Sequence, residues 1–296
     1  MKWNLYRYLL MLVVTTLLIV PGIYAQDLQI ENATTTNRDD WRRPDYQPIN
    51  QDDFLESFRK QPSFGIYHDN YIITGAPTNK EFNRSTADIK FQVSIRQLLL
   101  KNLLPRNHIL ALTYTQKSFW NIYEYSAPFD DNNYNPGLAL TRPIIYKGTL
   151  RGITAISLEH ESNGKDSLDN RSSNYVTLSG IYFFNKLFST QIKIWAGLLA
   201  DENKDLYSKY RGYGLIAMNY RSRNDVIGCS VVISPRDRFR SYNTQIEISI
   251  KPNHNSNQYL FVQWYNGYGE GLSDYDQYTS MIRLGICLKP SSGIIF

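Results

Sequence analysis

His160 and Ser162 stand two residues apart at the end of an alternating apolar and polar run, and Asn174 opens the next such run after a turn-rich link. In a β-strand residues two apart share a face, so the imidazole and the hydroxyl point together, on the side that also carries Ile156 and Leu158. Asn174 has the parity of Val176 and Leu178, and a hairpin between the two runs sets it beside His160 on the same oily side. A hydroxyl, an imidazole and an amide suffice for acyl transfer: Ser162 attacks, His160 takes and returns the proton, and Asn174 holds the imidazole tautomer. Polar side chains on an apolar face are costly, and a reactive group displayed there suits an apolar substrate. The same residues have a plainer reading. A His-x-Ser pair at a strand end is ordinary interfacial polarity, and Asn at a strand start is often a turn residue.

The elements that must position these residues recur from Ser63 onward. Twelve strand-like segments are expected, over 64–75, 87–100, 108–120, 137–147, 150–162, 173–184, 189–200, 211–221, 225–235, 241–251, 257–267 and 279–289. Turn-rich stretches such as 76–86, 130–137, 163–173 and 201–210 separate them. Ile89, Phe91, Val93 and Ile95 alternate with Lys90, Gln92, Ser94 and Arg96, and Ile246, Ile248 and Ile250 alternate with Gln245, Glu247 and Ser249. One face is therefore oily and the other wet. A soluble sandwich turns the oily face inward, whereas an outer-membrane barrel turns it to lipid. The even strand count, the terminal Phe296 and the alternation of short links (147–150) with longer ones (163–173) favour the barrel.

Lys2 and Arg7, the apolar run Leu9 to Val20 and a small residue at Ala25 mark a signal peptide over 1–25. No later run approaches the ~20 apolar residues of a membrane-spanning helix, so any crossing uses strands. The expected organisation is a signal peptide, a short N-terminal periplasmic segment over 26–62, and an all-β, twelve-stranded antiparallel transmembrane β-barrel over 63–296. An aromatic content of 14% beside a mean hydropathy of −0.41 suits such a barrel with aromatic girdles. Trp264, Tyr265, Tyr268 and Tyr275 are assigned to the outer girdle and its loop. The net charge of +5 is a bias toward anionic lipid surfaces rather than nucleic acid, because no basic run interleaved with aromatics is present. Cys229 and Cys287 lack metal-ligand spacing and are read as unpaired strand residues, and His68, His108 and His254 as loop or strand-end residues.

Five segments in order, KFQVSI, TYTQKSFW, SAPFDDNNYNP, EHESNGK through Asn174, and NGYGEGLSDY, resemble outer membrane phospholipase A, from about Phe64 to Leu288. The resemblance implies a twelve-stranded barrel in a Gram-negative outer membrane, active as a calcium-bound homodimer with its site on the outer rim. It makes Ser162 the nucleophile, His160 the base and Asn174 the orienting residue, with the backbone N–H of Gly164 in the oxyanion hole. It places Ca2+ on the main-chain carbonyl of Lys165, a side-chain oxygen of Asn170 and an oxygen of Ser126 from the other subunit. The family pattern has Arg and Ser where Lys165 and Asn170 stand, and Asp166 and Asp169 offer further oxygens in the same loop. Gln116 shares parity with Leu110, Leu112 and Tyr114. The resemblance makes it a hydrogen-bonded knob across the dimer interface; the other reading is a lumen-facing Gln after a β-bulge. The implied activity is hydrolysis of the sn-1 and sn-2 acyl esters of glycerophospholipids. The alternative is a non-catalytic barrel, a channel or scaffold, which has no need of Ser, His and Asn together on one oily rim.

Overall fold

The computed structural model describes residues 62–100, 107–198, 206–236, 239–253 and 257–290. The expected signal peptide, nearly all of the N-terminal segment, His254 and Phe296 lie outside the described residues.

Alternating segments become thirteen strands: β1 Phe64–Ile66, β2 Asn70–Pro77, β3 Asp88–Leu100, β4 Ile109–Trp120, β5 Phe129–Tyr146, β6 Thr149–Ser162, β7 Ser172–Phe183, β8 Phe188–Gly197, β9 Gly214–Arg221, β10 Ile227–Arg236, β11 Ser241–Ile250, β12 Gln258–Gly267 and β13 Thr279–Leu288. Strands β2 to β13 each pair antiparallel with the next in sequence, and β13 returns to β2, closing a twelve-stranded barrel. Closure pairs each of β2 to β13 on both sides and leaves no open edge among them. The short β1 lies on β3 in line with β2, so the expected first strand is one path along β3 with a break at 67–69. There the His68 N–H donates to Ser94 Oγ at 3.1 Å and Gln92 Nε2 donates to the Asp69 carbonyl at 2.8 Å.

Burial settles which way the oily face points. Leu158, Leu284 and Ile286 are 53%, 63% and 57% exposed, whereas Lys90 and Arg283 are 1% and 2% exposed. A single closed sheet has no second sheet to cover that apolar exterior, so the sandwich reading is excluded and the apolar band faces lipid. Charges inside the lumen are tolerated where they meet a partner. Arg283 bridges Asp88 and Glu270 at 2.7 Å each, Lys90 reaches Glu270 at 2.9 Å, and Glu159 pairs with Lys193 at 3.3 Å.

Three sequence expectations need correction. The stretch 130–137 is not a turn but part of the 18-residue β5. Its Asp and Asn residues line the lumen or bond across strands. Asp131 accepts the Leu272 N–H at 2.6 Å and the Ser273 N–H at 3.0 Å, and Asn132 accepts the Ser118 hydroxyl at 2.7 Å. Tyr265 faces inward, not into the girdle: it is buried, with its hydroxyl on the Tyr268 carbonyl at 2.5 Å. Strand β9 begins at Gly214 because Leu206–Arg211 forms a π-helical turn. Cys229 and Cys287 are both free. The barrel carries a tight Lys147–Gly148 link at one end and longer connections, 163–171 and 268–278, at the other.

Candidate active site

Strand β6 delivers His160 and Ser162 to the end of the barrel that carries the long connections, on the outward face with Ile156 and Leu158. Register along β7 sets Asn174 directly opposite His160 and Ser172 opposite Ser162. His160 Nδ1 and Asn174 Oδ1 lie 2.9 Å apart. With the amide oxygen accepting from Nδ1–H, Nε2 keeps its lone pair, the state a general base requires. Ser162 and Asn174 are solvent- or lipid-accessible, so the hydroxyl is open to a substrate arriving from the side of the barrel. Among the described residues no hydrogen bond joins the Ser162 hydroxyl to the ring. Side chains at i and i+2 of a strand are about 6.5 to 7 Å apart at their roots, a gap an imidazole and a hydroxyl close only by leaning together. Such contacts commonly tighten when substrate binds.

The connection after β6 is folded by a residue that the sequence reading passed over. Asn163 is buried; its Oδ1 accepts the backbone N–H of Arg171 at 2.9 Å and of Lys165 at 3.3 Å, and its Nδ2 donates to the Asp169 carbonyl at 2.7 Å. The Asn163 N–H closes the loop on the Arg171 carbonyl at 2.9 Å. The signal was the Asn-Gly dipeptide directly after a strand, a turn-forming pair. Gly164 follows with φ +68, in the left-handed region, and a Cβ there would lie 2.8 Å from the Tyr134 ring. Its exposed N–H makes no hydrogen bond to any described residue, so it is free to donate to an oxyanion beside Ser162.

Lys165 and Asn170 are exposed in this loop. Among the described residues neither the Lys165 carbonyl nor the Asn170 side-chain amide takes part in a hydrogen bond, although Lys165 Nζ donates to the Asp130 carbonyl at 3.4 Å. Asp166 and Asp169 add carboxylates to the same loop, and the Asp274 carboxyl is raised from its ordinary value by desolvation and by Asp131. No group of three His, Cys, Asp or Glu residues could hold a metal among the described residues. The exposed oxygens of this loop, carbonyl, amide and carboxylate, are of the kind a hard cation such as calcium takes. Ser126 stands exposed, at φ +75, in the β4–β5 connection.

Gln116 sits on β4 between Val93 and Tyr134 of the neighbouring strands, on the outward face with Leu112. Its Oε1 accepts from the Tyr114 hydroxyl at 3.0 Å and its Nε2 donates to Ser118 Oγ at 3.1 Å. The lumen-facing reading of Gln116 falls with that register. The loss of polarity that lipid imposes is met within the strand itself.

Comparison with known proteins agrees with this fold. The phospholipase A1 family model matches residues 57–288. Phospholipase A1 of Escherichia coli strain K12 is 29% identical over 242 residues, which cover 75% of this chain and 80% of that protein. The solved structure of outer membrane phospholipase A from Escherichia coli superposes with a TM-score of 0.68 at 25% identity, covering 77% of this chain and 99% of that one. The Salmonella typhi outer membrane phospholipase, solved as a dimer with bound calcium, superposes with a TM-score of 0.69 at 24% identity, covering 79% of this chain and 96% of that one. The closed twelve-stranded barrel, its oily exterior and these matches together establish that the chain belongs to the phospholipase A1 family of outer-membrane enzymes.

Proposed function

We propose that the chain hydrolyses the sn-1 and sn-2 acyl esters of glycerophospholipids through Ser162, His160 and Asn174, with calcium and in a homodimer. The observation that carries this is the His160–Asn174 hydrogen bond on the outward, lipid-facing wall beside an accessible Ser162. Ser162 Oγ adds to the ester carbonyl carbon while His160 Nε2 takes its proton. The carbonyl oxygen becomes an oxyanion facing the Gly164 N–H. Collapse breaks the bond to the glycerol oxygen, which leaves as lysophospholipid with the proton returned by His160. Water then attacks the acyl ester on Ser162, again through His160, and releases the fatty acid.

The Lys165 carbonyl and Asn170 amide are uncommitted oxygens at the right rim, and Ser126 is an exposed oxygen in another connection. They are the residues that would hold calcium, Ser126 being given by the partner subunit. When bound, the cation supplies positive charge near the developing oxyanion. Gln116, outward on β4, is the polar centre of the proposed dimer face. The Salmonella typhi protein is a dimer with bound calcium, which supports calcium and dimerisation here.

The test is fatty-acid release from phospholipid micelles by the detergent-purified protein, with calcium and with a chelator, beside Ser162→Ala. Release that needs both calcium and the hydroxyl supports the proposal; equal release by the two proteins rejects the mechanism.

A further inference from the structure

Nothing between Ser162 and His160 themselves sets their separation, since no hydrogen bond joins them among the described residues. It must come from the backbone of β6, and the ladder is weakened at that point. The register of β5 on β6, Tyr134 opposite Ser162 and Gly137 opposite Glu159, puts Pro136 opposite His160. Proline has no N–H to donate to the neighbouring strand. The His160 carbonyl instead accepts from Asn135 Nδ2 at 3.1 Å.

The same Asn135 amide donates its second hydrogen to the Tyr175 hydroxyl at 3.0 Å, and that hydroxyl donates to Glu161 Oε2 at 3.2 Å. Glu161 also receives Arg211 NH1 at 2.5 Å. Glu161 lies in sequence between His160 and Ser162, and Tyr175 directly follows Asn174. Both are buried on the lumen face, behind the reactive trio. Three strands and the turn before β9 are therefore tied together by side chains adjacent in sequence to each reactive residue, on the opposite face of the wall.

We propose that Glu161, Tyr175, Asn135 and Arg211 form a positioning frame that holds Ser162 and His160 at the spacing proton transfer needs. This rests on the acyl-transfer reading of the trio. The frame touches no substrate, because its atoms lie on the lumen side; it acts through the backbone of β6 and β7. A displacement of the reactive atoms by about 1 Å costs on the order of a hundredfold in rate. The frame therefore governs turnover and leaves substrate binding alone.

The test compares Tyr175→Phe, which deletes one hydroxyl, with Asn135→Ala, Glu161→Gln and Glu161→Asp in the detergent-purified full chain. Active sites are counted by labelling Ser162 with an alkyl fluorophosphonate: the Ser162 oxygen bonds to phosphorus, fluoride leaves and His160 takes the proton. Per labelled site, kcat is expected to fall about tenfold or more in Tyr175→Phe, Asn135→Ala and Glu161→Gln, with KM within about twofold. Labelling should slow in parallel. Glu161→Asp, which keeps the charge and the acceptor, should recover much of the loss. Glu247→Gln, a change to a lumen carboxylate that bonds Gln245 and Gln263, should leave kcat alone. Loss confined to the number of labelled sites, with unchanged kcat in each, is a merely structural role and overturns the frame. Hydrolysis persisting in Ser162→Ala overturns the reading of the trio instead, so the two failures are distinguishable.

Discussion

A methyl group on Gly164 would lie 2.8 Å from the Tyr134 ring, and its backbone already has φ +68. Tyr134 is the β5 residue opposite Ser162, so the ring that packs against the glycine also flanks the nucleophile. Gly164→Ala therefore meets strain and a clash at once. Fatty-acid release should fall about a hundredfold or more as the oxyanion donor moves, while far-UV circular dichroism of the barrel stays unchanged. Wild-type turnover in this variant would remove Gly164 from the oxyanion hole.

Asn174 offers His160 an acceptor, and aspartate offers the same oxygen with a charge. Asn174→Asp should keep most of the activity, whereas Asn174→Ala should lower kcat about tenfold to a hundredfold by freeing the ring. Steady-state kinetics on both variants decide the point; an unimpaired alanine variant shows that the 2.9 Å contact is idle.

Asn163 takes part in three side-chain hydrogen bonds inside the 163–171 connection. Replacement by alanine removes three part-buried hydrogen bonds, at a net cost of about 0.5 to 1.5 kcal/mol each. The loop should loosen without unfolding the barrel. Half-maximal activation by calcium should then require more of the ion, read from activity against free calcium concentration. An unchanged calcium curve separates the loop from the metal.

Glu270, in the connection after β12, bonds Lys90 and Arg283 in the lumen. These two cations hold its carboxyl down to about 2, below the usual 4.5, against the opposing effect of burial. The stability it contributes is complete above about pH 4.5 and is lost as pH falls toward 2. The urea midpoint, followed by tryptophan fluorescence in detergent, should drop across that window. Glu270→Gln should lower stability by about 3 to 5 kcal/mol at neutral pH, because the buried Lys90 loses its carboxylate and Arg283 is left with Asp88 alone, and should flatten the acid-side slope. A variant as stable as the parent contradicts the buried bridge.

Sequence alone resolved much of the site because strand parity is local. The two-residue period placed His160 and Ser162 on one face and Asn174 on the same face of the next strand, and the register of β6 on β7 sets Asn174 opposite His160. It misread 130–137 because Asp, Asn, Pro and Gly signal a turn in water, and here they meet a polar lumen. It passed over Glu161, Tyr175 and Asn135 because nothing in a lumen-facing residue announces its partner. Arg211 is 50 residues from Glu161 along the chain.

Residue order determined the alternation and the common face of His160 and Ser162, consequences of a period of two along a single strand, while the roles proposed for Ser162, His160 and Asn174 came from the family resemblance. Tertiary structure decided that the oily face looks outward, that Asn135 replaces the donor Pro136 lacks, and that Glu270 joins Lys90 and Arg283. Those outcomes depend on closure of the sheet, since only a closed wall has an inside in which distant charges are forced to pair.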